Sequence, residues 1–444
     1  MTGTRIRAAA VIAVPLLMAS QCAASAGAVA PPPIDETMLP APAPPAPPQP
    51  TRQHETCSND SPPHLSYQRG ARENLADREA IWRLTRGSGQ RVAVIDTGIQ
   101  PNPRLTDVVA GGDYVSDGDG RQDCDGHGTV VASIIGASII GAPIIGAPSA
   151  TDDTNSLSGL APDATLISIR QSSTKFSPAS GHSSGVGDVR TLAMAVRTAA
   201  DMGASVINIS SVACSASPPD DGSLGAALSY AVDIKDAVIV TAAGNVGGTG
   251  QCPEQNTSAQ PTVVASPAWY DDYVIAVGSV SPDGVPSAFS LRGPWVDLAA
   301  PGEQVIALTT KSGPTTPVPI SGTSYAAPVV SAAAALVRSR FPRLSARQVM
   351  SRLEHTAHAP AGRDDLAVGA GVVDILAAVS DEITHQTTDP AEPKPVVRQP
   401  SENPSSRIAL VGATVCLTCT AVATAVFHLR RRRQRAVAED IDGE

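Results

Sequence analysis

An acid, an imidazole and a hydroxyl stand at the ends of three short, glycine-punctuated segments. Val92 to Ile95 is an apolar run that delivers Asp96 at its C-terminal end, where Thr97 and Gly98 turn the chain. Asp125-Gly126-His127-Gly128-Thr129 sets His127 between two glycines at a helix start, and the missing side chains let other groups approach the ring closely. Ile320-Ser-Gly-Thr-Ser-Tyr-Ala-Ala-Pro328 precedes the Ala-rich stretch Val329 to Val337, which predicts Ser324 near a helix N-terminus. Free amides and the positive dipole end favour a developing anion there. An acid that orients a histidine, a histidine that takes a hydroxyl proton and a hydroxyl that attacks a carbonyl together perform nucleophilic acyl transfer.

Each segment alone is ambiguous. Asp-Thr-Gly also occurs where two aspartates share a proton, but the chain has no second Asp-Thr/Ser-Gly. A lone histidine is more often structural, and Gly-x-Ser-x-Ala merely resembles a nucleophile elbow. The chain order Asp, His, Ser, with each residue at a strand–turn–helix junction, is one of the known orders for this chemistry.

The elements that must position these groups form an alternating pattern from Arg91 to about Val379. Short apolar runs (Val92 to Ile95, Thr165 to Ile169, Ser205 to Ile209, Ala237 to Thr241, Tyr273 to Val280) are separated by Ala-rich helical stretches such as Val189 to Met202. Continuously apolar strands alternating with helices predict an α/β domain, a mostly parallel sheet with helices on both faces. Residues 72 to 84 read as a short amphipathic helix ahead of it. In the tandem repeat from Ile134 to Pro148, the first Ile-Ile-Gly-Ala copy can continue a helix, whereas Pro143 and Pro148 stop the others. Replication slippage that lengthened a surface loop and an exposed apolar docking loop both fit this repeat.

The ends speak to compartment. Arg5, Arg7, the apolar run Ala8 to Met18 and Ala24-Ser25-Ala26 predict a secretory signal over residues 1–26. A lipoprotein signal ending at Cys22 is the rival, poorly served by Gln21. Residues 27–84 form an extension with ten prolines between positions 31 and 50, which favours polyproline II over a packed domain. Residues 381–407 form a Pro-rich linker, and 408–429 carry no Asp, Glu, Lys or Arg. Those 22 residues would span roughly 33 Å as a helix, enough for a bilayer core, where a buried core helix is the alternative. The tail 430–444 opens with four arginines, marking the cytoplasmic side. A single-pass type I membrane protein with its bulk outside the cytoplasm follows.

The 444-residue chain is 42% apolar and 17% charged, which excludes wholesale disorder, and its net charge of −10 argues against nucleic acid as a partner. Four cysteines remain outside the signal and the span: Cys57, Cys124, Cys214 and Cys252. In an oxidising compartment they suggest two disulfides, with three pairings open. Zinc is the other reading, and none of these four has CxxC spacing.

Over residues 85–380 the sequence resembles the subtilisin-like serine proteases (peptidase family S8). It resembles in particular the mycosins, membrane-anchored subtilases of type VII secretion systems, through the signal, the Pro-rich extension with Cys57, Cys124 just ahead of His127, and the C-terminal span with its basic stop. The resemblance implies a subtilisin-like three-layer fold and the triad Asp96, His127 and Ser324. It further implies an oxyanion hole made by the Asn245 amide, at the end of Val238 to Asn245, and the Ser324 backbone N–H. Asn245 as a plain turn former is the bland alternative. The specificity cleft falls to Ser210, Ser211 and Val212, although Val212-Ala213-Cys214 replaces the usual continuation and leaves side-chain preference open; a cleft edge of extended backbone implies an extended peptide substrate.

The resemblance also implies the bonds Cys57–Cys124 and Cys214–Cys252, in keeping with Cys214 and Cys252 following neighbouring strand ends. The extension is then expected to wrap the catalytic domain without capping the cleft tightly. No cofactor is expected. Many subtilases hold structural calcium, but the run Asp113, Asp117, Asp119, Asp123 lacks the EF-hand pattern and reads as a solvated loop. The implied function is a membrane-anchored endopeptidase that processes a secreted substrate of a type VII system and helps stabilise that complex. The alternatives are a mainly structural role in the complex and broad degradative proteolysis.

Overall fold

The computed structural model describes residues 30–57, 74–138, 158–180, 185–248, 252–307, 318–358 and 365–380. The expected signal, the linker, the 408–429 span, the tail and the repeat beyond Ser138 lie outside these residues. Among the described residues no helix is long and apolar enough to cross a membrane.

Among the described residues thirteen strands run in chain order: β1 Thr51–Gln53, β2 Arg91–Asp96, β3 Val108–Asp113, β4 Thr165–Arg170, β5 Phe176–Pro178, β6 Val206–Ile209, β7 Ala213–Ser215, β8 Val238–Ala242, β9 Val264–Ser266, β10 Ile275–Val280, β11 Val296–Pro301, β12 Val305–Ala307 and β13 Val318–Ile320. Seven make the central sheet in the order β11-β10-β8-β6-β2-β4-β3, every pair parallel. The strands β2, β4, β6, β8 and β10 are the five apolar runs read from the sequence. They are buried on both faces, with Val92, Val94, Ile95, Ile207, Ile209 and Val240 at 0% exposure, each such side chain contributing about 1.5–3 kcal/mol by burial. The edge strands β3 and β11 were not foreseen. β3 carries Gly111 and Gly112 across a register shift, and β11 interrupts its apolar run with Asp297.

Helices cover both faces, as the alternating pattern requires. The histidine helix His127–Gly136 and the serine helix Thr323–Arg340 pack on each other over one face. Val189–Asp201 and Gly222–Ser229 pack on each other over the opposite one. Helix Val189–Asp201 starts with a capping box, Asp188 accepting from Thr191 N–H at 2.7 Å. Helix Asn74–Leu84 stands where residues 72 to 84 predict one.

The extension lies against the domain. β1 adds antiparallel to β5, Arg52 opposite Ser177, and Thr51 Oγ1 donates to the Val115 carbonyl at 2.5 Å. Arg197 Nη1 donates to the Pro40 carbonyl at 3.1 Å, and Lys175 Nζ pairs with Glu55 at 2.6 Å. Both expected disulfides are formed, Cys57–Cys124 and Cys214–Cys252.

The acidic stretch departs from the solvated-loop reading. Asp117 and Asp119 are exposed, but Asp113 and Asp123 are 1% and 5% exposed. Asp113 ends β3 and pairs with the buried Arg170 at 3.3 Å. Counting acids along the chain could not reveal the donors that the fold brings to these two carboxylates.

Candidate active site

Strand β2, inside the central sheet, ends at Asp96, which is 2% exposed. Its Oδ1 accepts from the Thr97 N–H at 2.7 Å and meets His127 Nδ1 at 2.7 Å. With Nδ1 held by a carboxylate, the proton of a neutral imidazole belongs on Nδ1 and Nε2 is left as the base. His127 is the first residue of its helix and 30% exposed, so the ring bridges the interior and the surface.

The flanking glycines have separate reasons. Gly126 sits at φ +86°, a left-handed cap that few other residues accept. A side chain on Gly128 would collide with the Gly98 carbonyl. Crowding from the Asp96 turn, then, and not access to the imidazole, is what requires Gly128.

Ser324 is the second residue of the serine helix and 8% exposed. Its neighbour Tyr325 lies tilted against the His127 ring, centroids 5.3 Å apart, which brings the start of the serine helix to the imidazole. From just beyond β6, Ser210 Oγ donates to the Ser324 carbonyl at 2.9 Å and accepts from Asn208 Nδ2 at 2.9 Å. The Ser210 hydroxyl is thus committed to holding the serine turn, while Ser211 and Val212 are half-buried at the end of β6.

Asn245 follows β8 and reaches the same turn. Its Oδ1 accepts from Thr323 N–H at 3.0 Å and from Thr323 Oγ1 at 3.1 Å. With the carbonyl end of the amide fixed beside Ser324, Nδ2 remains as the donor end.

Electrostatics set the protonation of the imidazole. Burial pulls the His127 ring towards neutrality, but the Asp96 carboxylate outweighs it, with smaller help from Asp123 and Asp125, and the imidazole pKa stands above its ordinary 6.5. Tyr325 is pushed up to about 12 by burial and by the negative Asp96 and Asp123. Burial raises the Asp123 carboxyl against the hydrogen bonds it accepts.

The sequence did not single out Tyr325 or the structural part played by Asp123. Tyr325 is adjacent to Ser324 and so bound to lie near the site, but only the packing of the two helices shows which ring it meets.

A parallel sheet carrying an acid, a histidine and a serine at these strand and helix ends is the arrangement of a subtilisin-like serine protease. Residues 87–372 match the Subtilase family. Mycosin-4 of Mycobacterium tuberculosis is 55% identical over 437 residues, which cover 92% of this chain and 93% of that protein. Mycosin-1 of the same organism is 39% identical, covering 95% and 98%. The MycP3 protease of the type VII (ESX-3) secretion system superposes with a TM-score of 0.67 at 42% identity, over 79% of this chain and 99% of that one. A chain of an intact ESX-5 inner membrane complex superposes with a TM-score of 0.71 at 39% identity, over 90% and 99%. The chain belongs to the mycosin branch of the subtilase family.

Proposed function

We propose that this subtilisin-like protease is a membrane-anchored endopeptidase that works through an acyl-enzyme and serves a type VII secretion complex. The observation that carries the chemistry is the 2.7 Å bond between Asp96 and His127 Nδ1, at a ring packed against the residue next to Ser324.

Ser324 Oγ attacks the scissile carbonyl while His127 Nε2 takes its proton, and the resulting imidazolium is stabilised by Asp96. The carbonyl oxygen becomes an anion, which the Asn245 amide and the Ser324 N–H bind. His127 then gives its proton to the leaving amine. A water, deprotonated by the same imidazole, releases the acyl group. No metal or cofactor is needed for these steps. Backbone recognition at Ser210 to Val212, just beyond the end of β6, would hold the substrate as an extended segment.

The apolar 408–429 stretch and the arginines behind it support an anchor, with the protease domain on the extracytoplasmic side, and the secretory signal over 1–26 supports the same orientation. The likeness to a chain of an assembled ESX-5 inner membrane complex supports a second role, as a structural part of such a complex. Ser324→Ala in the full chain separates the two. Loss of substrate processing with secretion maintained is the expected result; unchanged processing would overturn the catalytic reading, and loss of both would make proteolysis inseparable from assembly.

A further inference from the structure

Asp123 lies between the loop after β2 and the first turn of the histidine helix and bonds to both. It is 5% exposed and accepts four hydrogen bonds from three residues. Oδ1 accepts from Thr97 Oγ1 at 2.8 Å and from Gly126 N–H at 2.7 Å. Oδ2 accepts from Thr129 N–H at 2.8 Å and from Thr129 Oγ1 at 2.6 Å.

Each donor belongs to something the reaction needs. Thr97 follows Asp96, and its Oγ1 accepts in turn from Gly128 N–H at 2.9 Å, so one hydroxyl links the strand end to both sides of His127. Gly126 is the cap of the histidine helix and has no side chain of its own to satisfy that helix's free amides. Asp123 supplies the missing acceptor from three residues upstream, at the positive end of the helix dipole. Thr129 Oγ1 also accepts from Gln100 N–H at 2.9 Å, beyond the Gly98 turn. The carboxylate therefore ties the loop after β2 to the first turn of the histidine helix, across the very gap that the Asp96–His127 bond spans.

We propose that Asp123 is a positioning residue of the protease: it fixes the first turn of the histidine helix against the end of β2, and so sets the Asp96–His127 contact without touching the substrate. This rests on the catalytic reading of Asp96, His127 and Ser324. The groups that face the imidazole are Asp96, Asp123 and Asp125 from its own loop and β2, and Tyr325 from the serine helix.

Asp123→Asn is the test, made in the full chain. An amide keeps one acceptor oxygen and turns an NH₂ towards either Thr129 or Thr97 and Gly126, so two donors lose their partner. The expected kcat loss is about 10²-fold, as for a misplacement of about 1 Å. KM should stay near the parent value, because no substrate atom is involved. The acid limb of the rate profile should also move to lower pH, since one of the charges that raises the His127 pKa is gone.

Thr97→Val breaks the same bridge but leaves the Asp123 charge, so it should lower kcat and leave the acid limb in place. A merely structural role for Asp123 would lower the melting temperature and move the limb through the lost charge, but leave kcat per folded molecule at the parent value in both variants. If Asp123→Asn does not fold, Thr97→Val decides: full kcat in that variant overturns the proposal. If parent activity is unaffected by Ser324→Ala, the catalytic reading itself fails. Activity that depends on Ser324 but is unchanged in folded Asp123→Asn refutes the positioning role alone.

Discussion

Replacing Asn245 with alanine separates two duties of a single amide. Its Oδ1 holds Thr323 N–H and Oγ1 at 3.0 and 3.1 Å, and in the proposed mechanism its Nδ2 is the donor to the oxyanion. Loss of such a donor costs about 10²–10³ in kcat, roughly 2.7–4 kcal/mol of transition-state stabilisation. Thr323 is 0% exposed, so its N–H is stranded away from water, at a cost of about 1–3 kcal/mol in stability. A domain of this size would lose a few degrees in Tm. The hydroxyl of Thr323 keeps a second link, accepting from Gly244 N–H at 3.3 Å, which favours the lower end of that range.

The assay is the second-order rate of phosphonylation by a fluorophosphonate, whose adduct presents an oxygen to the same donors, read beside a thermal melt. Asn245→Asp is the control. It keeps an acceptor for Thr323 and puts a carboxylate where the donor stood, so it should hold Tm near the parent while labelling at least as slowly as the alanine variant. An Asn245→Ala protein that melts lower yet labels at the parent's rate would refute the reasoning: the amide would then be a brace for the serine turn and nothing more.

Three further outcomes follow from the same structure. The base must be neutral to act and its folded pKa is raised, so the labelling rate should climb with pH along a limb centred above 6.5; a midpoint below that value in a pH series would contradict the part given to Asp96. Removing the Cys57–Cys124 bond by serine substitution opens a loop with a sequence separation of 67. It should lower the unfolding free energy by about 4 kcal/mol in the chain-entropy model, measured by denaturant titration. Burial and the neighbouring Asp271 raise the Asp297 carboxyl well above its usual range. A raised folded pKa gives stability that is full below the unfolded value and is lost as pH rises through the folded one. Asp271→Asn should therefore flatten the decline in Tm as pH rises above the ordinary carboxylate value of 3.8.

The sheet was legible because its inner strands are buried on both faces. That burial turns Val92 to Ile95 or Val238 to Thr241 into unbroken apolar runs that periodicity can find. The edge strands escaped for the opposite reason: β3 has glycines and a register shift, and β11 carries the half-buried acid Asp297. The placement of Asp96, His127, Ser324 and Asn245 could be read from local patterns because each sits where a strand or turn delivers it. The donors around Asp123, the Ser210 link to the Ser324 carbonyl and the Tyr325 contact with His127 could not. Each joins segments that are distant in the chain, and only the packing of the histidine and serine helices brings them together. The added strand β1 is another such case, three residues whose pairing with β5 leaves no period in the sequence.

The central claim is that Ser324 is a nucleophile activated by His127 and Asp96. Its most direct measurement is intact mass after exposing the folded, detergent-solubilised full chain to a fluorophosphonate. A single adduct on the peptide containing Ser324, absent in Ser324→Ala and strongly slowed in His127→Ala, is the expected result. A folded protein that stays unlabelled, or whose adduct maps to another residue, would contradict it.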